Sequence, residues 1–300
     1  MLENKHAYLI MAHNDFQSLK HLMQAIDDER NDIYLHIDKK TRLVDFNEIK
    51  TWVKKAGLFF VPRIKVFWGD KSFVQCELNL LKAATGNGHY RYYHFLSGID
   101  FPLKSQDEIH AYFEDKDLEY LNYHFPGEGG DDFIYKIRYY YPFMRWLGRW
   151  DAHGNKLKSK FRYHLDVFNK KLLVRQESKG VDRRKRYPDI TFVKGDNWVT
   201  ITDSFARFAL SKERKIMKMA RFSATPDEIF LATLAYNSSY KNKIANDIKR
   251  LIDWNRGGPY EFVYEDLPEL LEADAFFARK ISYSRQPKLV EALEKHIGLQ

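Results

Sequence analysis

The 300-residue sequence contains a single cysteine, Cys76, so no disulfide can form within this chain. A single cysteine is typical of proteins in a reducing compartment. We expect Cys76 to lie on a helix and to pack in the hydrophobic core. No apolar run approaches the ~18–20 residues that a membrane-spanning helix requires. Residues 1–6 also lack the apolar core of a signal peptide. We therefore expect a cytoplasmic protein, with peripheral contact at the inner face of a membrane left open.

Several cofactor and metal motifs are missing. There is no phosphate-binding Walker loop, no Cys-x-x-Cys and no His-Glu-x-x-His, and the 11 histidines show no metal-ligand spacing. Gly86-Asn87-Gly88 is not a dinucleotide fingerprint, because position 91 is arginine. Asp115-Lys116-Asp117 follows a predicted helix instead of the strand that a metal-binding Asp-x-Asp pair would follow. We predict no metal site and no cofactor.

Basic and aromatic residues are abundant. The chain has 49 basic and 41 acidic residues, a formal net charge of +8, with 22 Phe, 19 Tyr and 6 Trp. A positive charge favours nucleotide diphosphates, anionic lipid head groups or nucleic acid, although a solvated lysine-rich surface explains it equally well. The run Arg183–Arg186 keeps nucleic-acid binding open as a hypothesis, but no nucleic-acid-binding motif accompanies it and we expect no such partner.

The order of predicted elements indicates an α/β fold. Strands are predicted at 6–13, 32–38, 64–68 and 90–96, with helices at about 15–26, 46–56 and 72–84. Alternating strands and helices predict βαβ units and a mostly parallel central sheet flanked by helices. We predict one domain over 1–300, with an insertion at about 122–190 that is rich in Tyr, Phe, Arg and Lys.

After the insertion, regular elements are predicted to return. We expect strands at 191–195 and 198–201, then helices at about 203–221, 226–238 and 241–254. Ligands in parallel sheets bind beyond the carboxyl ends of the strands. Asp38, Trp68 with Gly69, and Ser97–Asp100 fall at such ends, so we regard them as candidate binding residues.

Thr225-Pro226-Asp227-Glu228 allows two interpretations. Thr225 could cap a helix with Glu228 as the third member of a capping box, Pro226 taking the first helical position. Alternatively, Glu228 could be a general base at the mouth of a cleft, because the helix that follows is apolar on nearly every side and should be embedded. The two roles are compatible if Asp227 satisfies the amides of the first turn.

Two basic residues could stabilise a departing diphosphate in the absence of a metal. Arg256 lies beside Gly257 and Gly258, which permit close approach of the backbone, and Lys280 follows an apolar Phe-Phe-Ala segment. Fixed cations placed where charge develops can contribute several kcal/mol to a reaction of this kind.

An ordered set of segments resembles the core-2/I-branching β-1,6-N-acetylglucosaminyltransferase family, which also contains the peptide O-xylosyltransferases. The set comprises residues 34–39, Trp68-Gly69 with Ser72, residues 96–103, Gly195 with Trp198, residues 226–228, 266–267 and 277–280. The resemblance implies a GT-A type fold, an inverting mechanism, a UDP-sugar donor and no absolute need for a metal.

The resemblance also implies roles for single residues. Glu228 matches the catalytic base, Lys280 the lysine that holds the UDP diphosphate, and Arg256 its arginine partner. Donor-side positions are further assigned to His13, Asp38 (near the uridine), Trp68, Ser72, Asp100, Gly195 and Trp198. On the acceptor side we assign Asp227, with Arg138 and Tyr139 from the insertion.

The expected reaction is transfer of N-acetylglucosamine to a hydroxyl of a glycan or a lipid-linked saccharide, for example in bacterial surface polysaccharide. A xylosyltransferase using UDP-xylose is the nearest alternative. From other classes, a basic nucleic-acid-binding protein and a sugar-binding module without catalysis remain open.

Overall fold

The structure is a computed structural model that describes residues 4–148 and 156–299. Eight strands form two sheets within these ranges. They are β1 (His6–Ala12), β2 (Asn31–Ile37), β3 (Gly57–Phe60), β4 (Tyr92–Ser97), β5 (Asp100–Pro102), β6 (Thr200–Thr202), β7 (Arg250–Ile252) and β8 (Phe277–Arg279).

The larger sheet has the strand order β3-β2-β1-β4-β6 and is parallel except for β6. Every residue of β1, β2 and β4 is buried, as expected for strands covered on both faces by helices. The predicted fold class, α/β with a mostly parallel central sheet flanked by helices, is confirmed.

Twelve helices surround the sheets in the described residues. They are α1 (Phe16–Ala25), α2 (Phe46–Lys50), α3 (Lys71–Asn87), α4 (Gln106–Phe113), α5 (Tyr135–Arg138), α6 (Met144–Leu147), α7 (Lys156–Ser178), α8 (Asp203–Ser211), α9 (Glu213–Ala220), α10 (Phe230–Tyr236), α11 (Leu267–Glu272) and α12 (Pro287–His296). Cys76 is buried on α3, as predicted. No helix in the described ranges is both long and apolar enough to cross a membrane.

The third strand was predicted in the wrong place. β3 lies at Gly57–Phe60, and the ladder to β2 ends where the Val61 amide donates to the carbonyl of Leu35. Pro62 follows and has no amide proton to extend the ladder. Residues 64–67 lie beyond the end of the sheet and form no strand, although their apolar pattern predicted one. The helix predicted at 46–56 likewise ends at Lys50.

The C-terminal part departs further from prediction. Residues 241–254, expected to be helical, contain a 3-10 turn and then β7, which pairs with β8 in the second sheet, order β5-β8-β7. The Arg250 side chain is fully buried in an ion pair with Asp100, a tertiary contact that overrides local helix preference. The strand predicted at 191–195 is only an isolated bridge at Lys194. The helix expected at 203–221 is divided into α8 and α9.

Arg183 joins the insertion to the segment before residue 225. Its guanidinium is buried and donates to the carbonyl oxygens of Tyr139 and Arg221 at 3.1 and 2.6 Å, and to Met219 at 3.1 Å. The next residue, Arg184, pairs with Asp182 at 2.6 Å. The run Arg183–Arg186 is therefore partly structural, which weakens the nucleic-acid hypothesis.

Three histidines form a buried polar group in the core next to β1 and β4. His94 Nε2 lies 3.0 Å from His6 Nδ1, and the rings of His6 and His110 stack at 4.0 Å. Burial lowers the pKa of His110 to about 4 and lowers the pKa of His6 and His94 well below the ordinary value. All three are therefore neutral at physiological pH.

Candidate functional site

The carboxyl ends of β1, β2 and β4 meet at one edge of the main sheet. The Asp38 amide donates to the carbonyl of Ala12 at 2.9 Å, and the Gly98 amide donates to Met11 at 3.1 Å. His13 follows β1, and burial lowers the pKa of its imidazole. Asp38 is itself buried, with one carboxylate oxygen accepting the Lys40 amide at 2.8 Å. The structure thus places His13 and Asp38 side by side at the edge where ligands bind in such sheets.

Asp100 organises a buried cluster of charges beside this edge. Its two oxygens accept from Arg250 at 2.8 Å and from Arg279 at 2.9 Å. Ser97 Oγ donates to the same carboxylate at 2.6 Å and contacts the Arg279 guanidinium. Burial lowers the pKa of Arg250 to about 10. Because both oxygens are occupied, Asp100 acts on the site by holding Arg279.

Trp198 lies under the guanidinium of Arg279, which is 4.4 Å from the ring centroid. Trp198 also makes an edge-to-face contact with the ring of Phe73, with the centroids 6.1 Å apart. Asp70 caps the start of α3 by accepting the Ser72 amide at 2.9 Å, and the Ser72 hydroxyl accepts the Phe67 amide at 2.9 Å. Trp68, next to it, is 51% exposed at the rim. The contact between Phe73 and Trp198 places the segment of Trp68 and Ser72 next to Trp198 and Arg279.

The capping-box interpretation of residues 225–228 is wrong. Thr225 has a φ of 40°, in the left-handed region, and its side chain makes no capping bond. Since a capping box requires the N-cap side chain to accept a backbone amide of the first turn, and the Thr225 side chain accepts none, the box is not formed. Pro226–Glu228 instead forms a 3-10 turn, and α10 begins at Phe230. The Thr225 amide donates to the carbonyl of Gly69 at 3.0 Å, which ties the turn to the segment at Trp68.

Glu228 is held through one oxygen. Lys136 Nζ donates to Oε2 at 2.9 Å, Thr225 Oγ1 donates at 3.3 Å, and Lys194 Nζ lies 3.6 Å away. Within residues 4–148 and 156–299 no donor contacts Oε1, and the side chain is 30% exposed. The carboxylate is therefore fixed in orientation and has one oxygen available to a ligand.

Lys194 also holds the insertion at the site. Its ammonium donates to Asp131 Oδ2 at 2.6 Å, and this bond lowers the pKa of Asp131. His124 Nε2 lies 3.3 Å from the same oxygen. The contacts made by Lys136 and Lys194 connect the insertion to the turn that carries Glu228.

Two more carboxyl groups lie behind Glu228. Burial and the charge of Glu228 raise the pKa of Asp227 to about 7. Its Oδ1 has no hydrogen-bond partner in the described residues, while Oδ2 accepts from Asn197 at 3.5 Å. Glu77 on α3 is fully buried, and burial together with Asp227 raises its pKa well above the ordinary value. Asp227, assigned to the acceptor side, is thus 9% exposed and partly protonated near neutral pH.

Gly195 sets the position of the Glu228 main chain. Its amide donates to the Glu228 carbonyl at 2.8 Å. A β-carbon at position 195 would overlap the carbonyl oxygen of Asn122, so a glycine is required there. The role visible in the structure is close backbone packing next to Glu228.

The Tyr260 segment contacts both the Arg256 side chain and the Lys280 main chain. The guanidinium of Arg256 lies 4.1 Å from the Tyr260 ring centroid, and the Lys280 amide donates to the Tyr260 carbonyl at 3.3 Å. Arg256 also pairs with Asp266 at 2.6 Å, with Glu269 at 2.8 Å and with Asp253. It is 36% exposed, so an anionic ligand would share it with three carboxylates.

The two insertion residues assigned to the acceptor differ in accessibility. Tyr139 is 7% exposed and packs with Tyr141 and Ala224. Arg138 lies over the Tyr139 ring at 5.3 Å, with its Nε 4.0 Å from Asp182. Arg138 can therefore reach a ligand more readily than Tyr139 can.

The sequence interpretation missed Lys136, Lys194 and Arg279. The only sequence signal for these residues is their position. Lys136 lies in the Tyr- and Arg-rich run of the insertion, Lys194 precedes Gly195, and Arg279 precedes Lys280. In the described part of the chain, no group of three or more His, Cys, Asp or Glu side chains is arranged to hold a metal ion.

Comparison with known proteins identifies a family and several relatives that agree with it. The model of the family "Core-2/I-Branching enzyme" matches residues 6–274. Xylosyltransferase 2 of Rattus norvegicus is 22% identical over 97% of this chain, which spans 33% of that protein's length. N-acetyllactosaminide beta-1,6-N-acetylglucosaminyl-transferase of Mus musculus is 24% identical over 96% of this chain and 71% of its own length.

A solved structure was also found, that of mouse xyloside xylosyltransferase 1 in apo form. It is 9% identical, with a TM-score of 0.37, over 91% of this chain and 96% of the mouse chain. This chain spans about a third of the length of the xylosyltransferases that it matches.

Proposed function

Since the chain belongs to the core-2/I-branching enzyme family, a family of glycosyltransferases, we propose that it transfers N-acetylglucosamine from UDP-N-acetylglucosamine with inversion. The acceptor is a hydroxyl of a glycan or a lipid-linked saccharide. The observation that carries the proposal is the state of Glu228: held through Oε2 by Lys136, with Oε1 open to a ligand.

In the proposed reaction, Glu228 Oε1 accepts the proton of the acceptor hydroxyl. The hydroxyl oxygen forms a bond to the anomeric carbon from the face opposite UDP, and the bond from that carbon to the diphosphate oxygen breaks. The electron pair leaves with UDP, and inversion follows from attack on the opposite face. A positioned general base of this kind contributes roughly 10²–10⁴ in rate.

Arg256 and Lys280 take the role of stabilising the diphosphate as its charge increases. Their joint attachment to the Tyr260 segment supports this pairing. Fixed cations at a developing charge can supply several kcal/mol. We propose that no divalent metal is required, in line with what the family resemblance implies.

UDP-xylose is the alternative donor, because the relatives include xylosyltransferases as well as N-acetylglucosaminyltransferases. A panel of UDP-sugars, assayed for donor hydrolysis with EDTA and with Mn²⁺, tests both points. We expect UDP-N-acetylglucosamine to be consumed fastest, equally in EDTA. Faster consumption of UDP-xylose would show that UDP-xylose is the donor. Activity that is lost in EDTA and returns only with Mn²⁺ would refute metal independence.

A further inference from the structure

The insertion carries an exposed apolar face. Trp146 on α6 is 51% exposed, and Phe161 and Phe168 on α7 are 60% and 54% exposed. Phe143 joins the two helices, since its ring lies 6.3 Å from Trp146 and 5.7 Å from Phe168. Large apolar side chains grouped on a surface in this way mark an interaction site more often than single exposed ones do.

Basic residues surround these side chains. Among residues 160–178 there are five Lys and Arg against two Asp and Glu. On α7, Lys171 and Arg175 are exposed on the same side as Phe161 and Phe168, one and two turns apart at helical spacing. We define Trp146, Phe161, Phe168, Lys171 and Arg175 as the docking face.

The docking face is connected to the site. On α6, Met144 packs against Gly69, and the Arg145 guanidinium lies 4.7 Å from the ring centroid of Phe67. The carbonyl of Gly69 accepts the Thr225 amide at 3.0 Å, so α6 touches the segment that anchors the turn of Glu228. A partner bound at the docking face would lie next to the rim of the proposed site.

We propose that the docking face binds the surface of an anionic lipid bilayer. Exposed aromatic side chains flanked by Lys and Arg suit the interface of an anionic membrane, where rings enter the head-group layer and cations meet anionic lipid. A second copy of the chain fits less well, because a self-complementary contact would place its basic residues against each other.

The functional consequence rests on the proposed function: an enzyme docked in this way would meet a lipid-linked acceptor at the bilayer surface. Membrane binding itself is measured separately, so that its failure leaves the transferase proposal standing. Donor hydrolysis in the absence of vesicles reports on the transferase alone.

Co-sedimentation with vesicles tests the docking face. One set of vesicles contains phosphatidylcholine alone, and the other contains phosphatidylcholine with phosphatidylglycerol. We expect the wild-type protein to sediment with the anionic vesicles, to remain largely in solution with the neutral ones, and to be released as salt rises.

Two double variants separate the apolar and the electrostatic parts. Phe161→Ser with Phe168→Ser removes the rings, and Lys171→Glu with Arg175→Glu reverses the charge; each should weaken binding to anionic vesicles about tenfold or more. The matched control, Lys215→Glu with Lys218→Glu, reverses two exposed charges on α9 and should bind like the wild type. Unchanged circular dichroism and donor hydrolysis establish that all variants are folded.

Three outcomes would overturn the inference. The wild type could bind neither vesicle, the docking-face variants could bind like the wild type, or the control could lose binding equally. A sedimentation-velocity mass that halves in the phenylalanine variant would instead assign the face to a second copy. Tight binding of an oligonucleotide, lost in the Lys171/Arg175 variant, would assign it to nucleic acid.

Discussion

Lys136 Nζ lies 2.9 Å from Oε2 of Glu228, an ion pair between residues 92 positions apart in the sequence. One partner belongs to the insertion and the other to the turn before α10. Only 14% of the Lys136 side chain is exposed, against 30% of Glu228, so the lysine end of the pair is the more shielded from solvent. The insertion therefore does more than border the site, because it supplies a residue that orients the proposed base.

Lys136→Met should lower kcat with little change in the KM for the donor. The substitution keeps most of the volume but leaves Glu228 free to rotate, and small losses of orientation cost up to about 10²-fold in rate. Steady-state kinetics measure the two constants separately. Lys136→Arg should restore a good part of kcat. An equal rise in KM in both variants would assign Lys136 to substrate binding.

Glu228→Gln should reduce transfer by roughly 10²–10⁴ while UDP affinity is unchanged. The amide keeps the shape of the side chain but cannot accept the acceptor proton as a carboxylate does. Isothermal calorimetry with UDP and a product assay give the two values. Glu291→Gln, at an exposed position on α12, serves as the control. Turnover close to the wild type would remove Glu228 from the role of base.

Arg256→Ala and Lys280→Ala should each weaken UDP binding by about tenfold, as expected for loss of a charge-assisted contact with phosphate. Calorimetry measures the affinity directly. Arg285→Ala is a suitable control, because this residue pairs with Glu261 at 2.7 Å and is 73% exposed. If Arg256→Ala binds UDP normally, Arg256 serves only to pair with its three carboxylates, and Lys280 alone holds the diphosphate.

Gly195→Ala should destabilise the protein by about 1–3 kcal/mol, because a new methyl group has no room next to the Asn122 carbonyl. It should also lower kcat, since the Gly195 amide holds the Glu228 main chain. Urea denaturation measures the first effect. Gly86→Ala is the matched control: no atom lies within 4 Å of its added β-carbon, and α3 should gain up to about 1 kcal/mol. Equal stability of the two variants would contradict the packing argument.

Acid should destabilise the fold through the buried histidines. A histidine whose pKa is lowered in the folded state contributes stability above its ordinary value near 6.5, and this is lost as the pH falls toward the folded pKa. For His110 that window runs from about 6.5 to about 4. Its full loss corresponds to at most about 3 kcal/mol.

Urea denaturation at a series of pH values tests this linkage. His110→Gln should be less stable than the wild type at neutral pH but should lose less stability on acidification. His164→Gln, on the exposed side of α7, should keep the wild-type pH dependence. If the unfolding free energy of His110→Gln falls with pH as steeply as that of the wild type, other groups dominate acid unfolding.

The sequence predicted the parallel character of the main sheet and pointed to Glu228 as a candidate base, although it misplaced β3. Strands alternating with helices over the first hundred residues predicted a mostly parallel sheet, and β1, β2 and β4 lie in it as expected. Glu228 was recognised because the ordered segments of the family surround it. The family match over residues 6–274 confirms the resemblance on which that choice rested.

The surroundings of Glu228 follow from long-range contacts. Lys136 and Lys194 reach Glu228 from distant positions, as Arg279 reaches Asp100, and a run such as Tyr135–Arg138 gives no local sign of which cation points inward. Arg183 shows the converse, since a residue in an apparently solvated basic run is buried against backbone carbonyls. Periodicity reports which face of an element is apolar, whereas the partner of a charge depends on long-range contacts that only the folded chain creates.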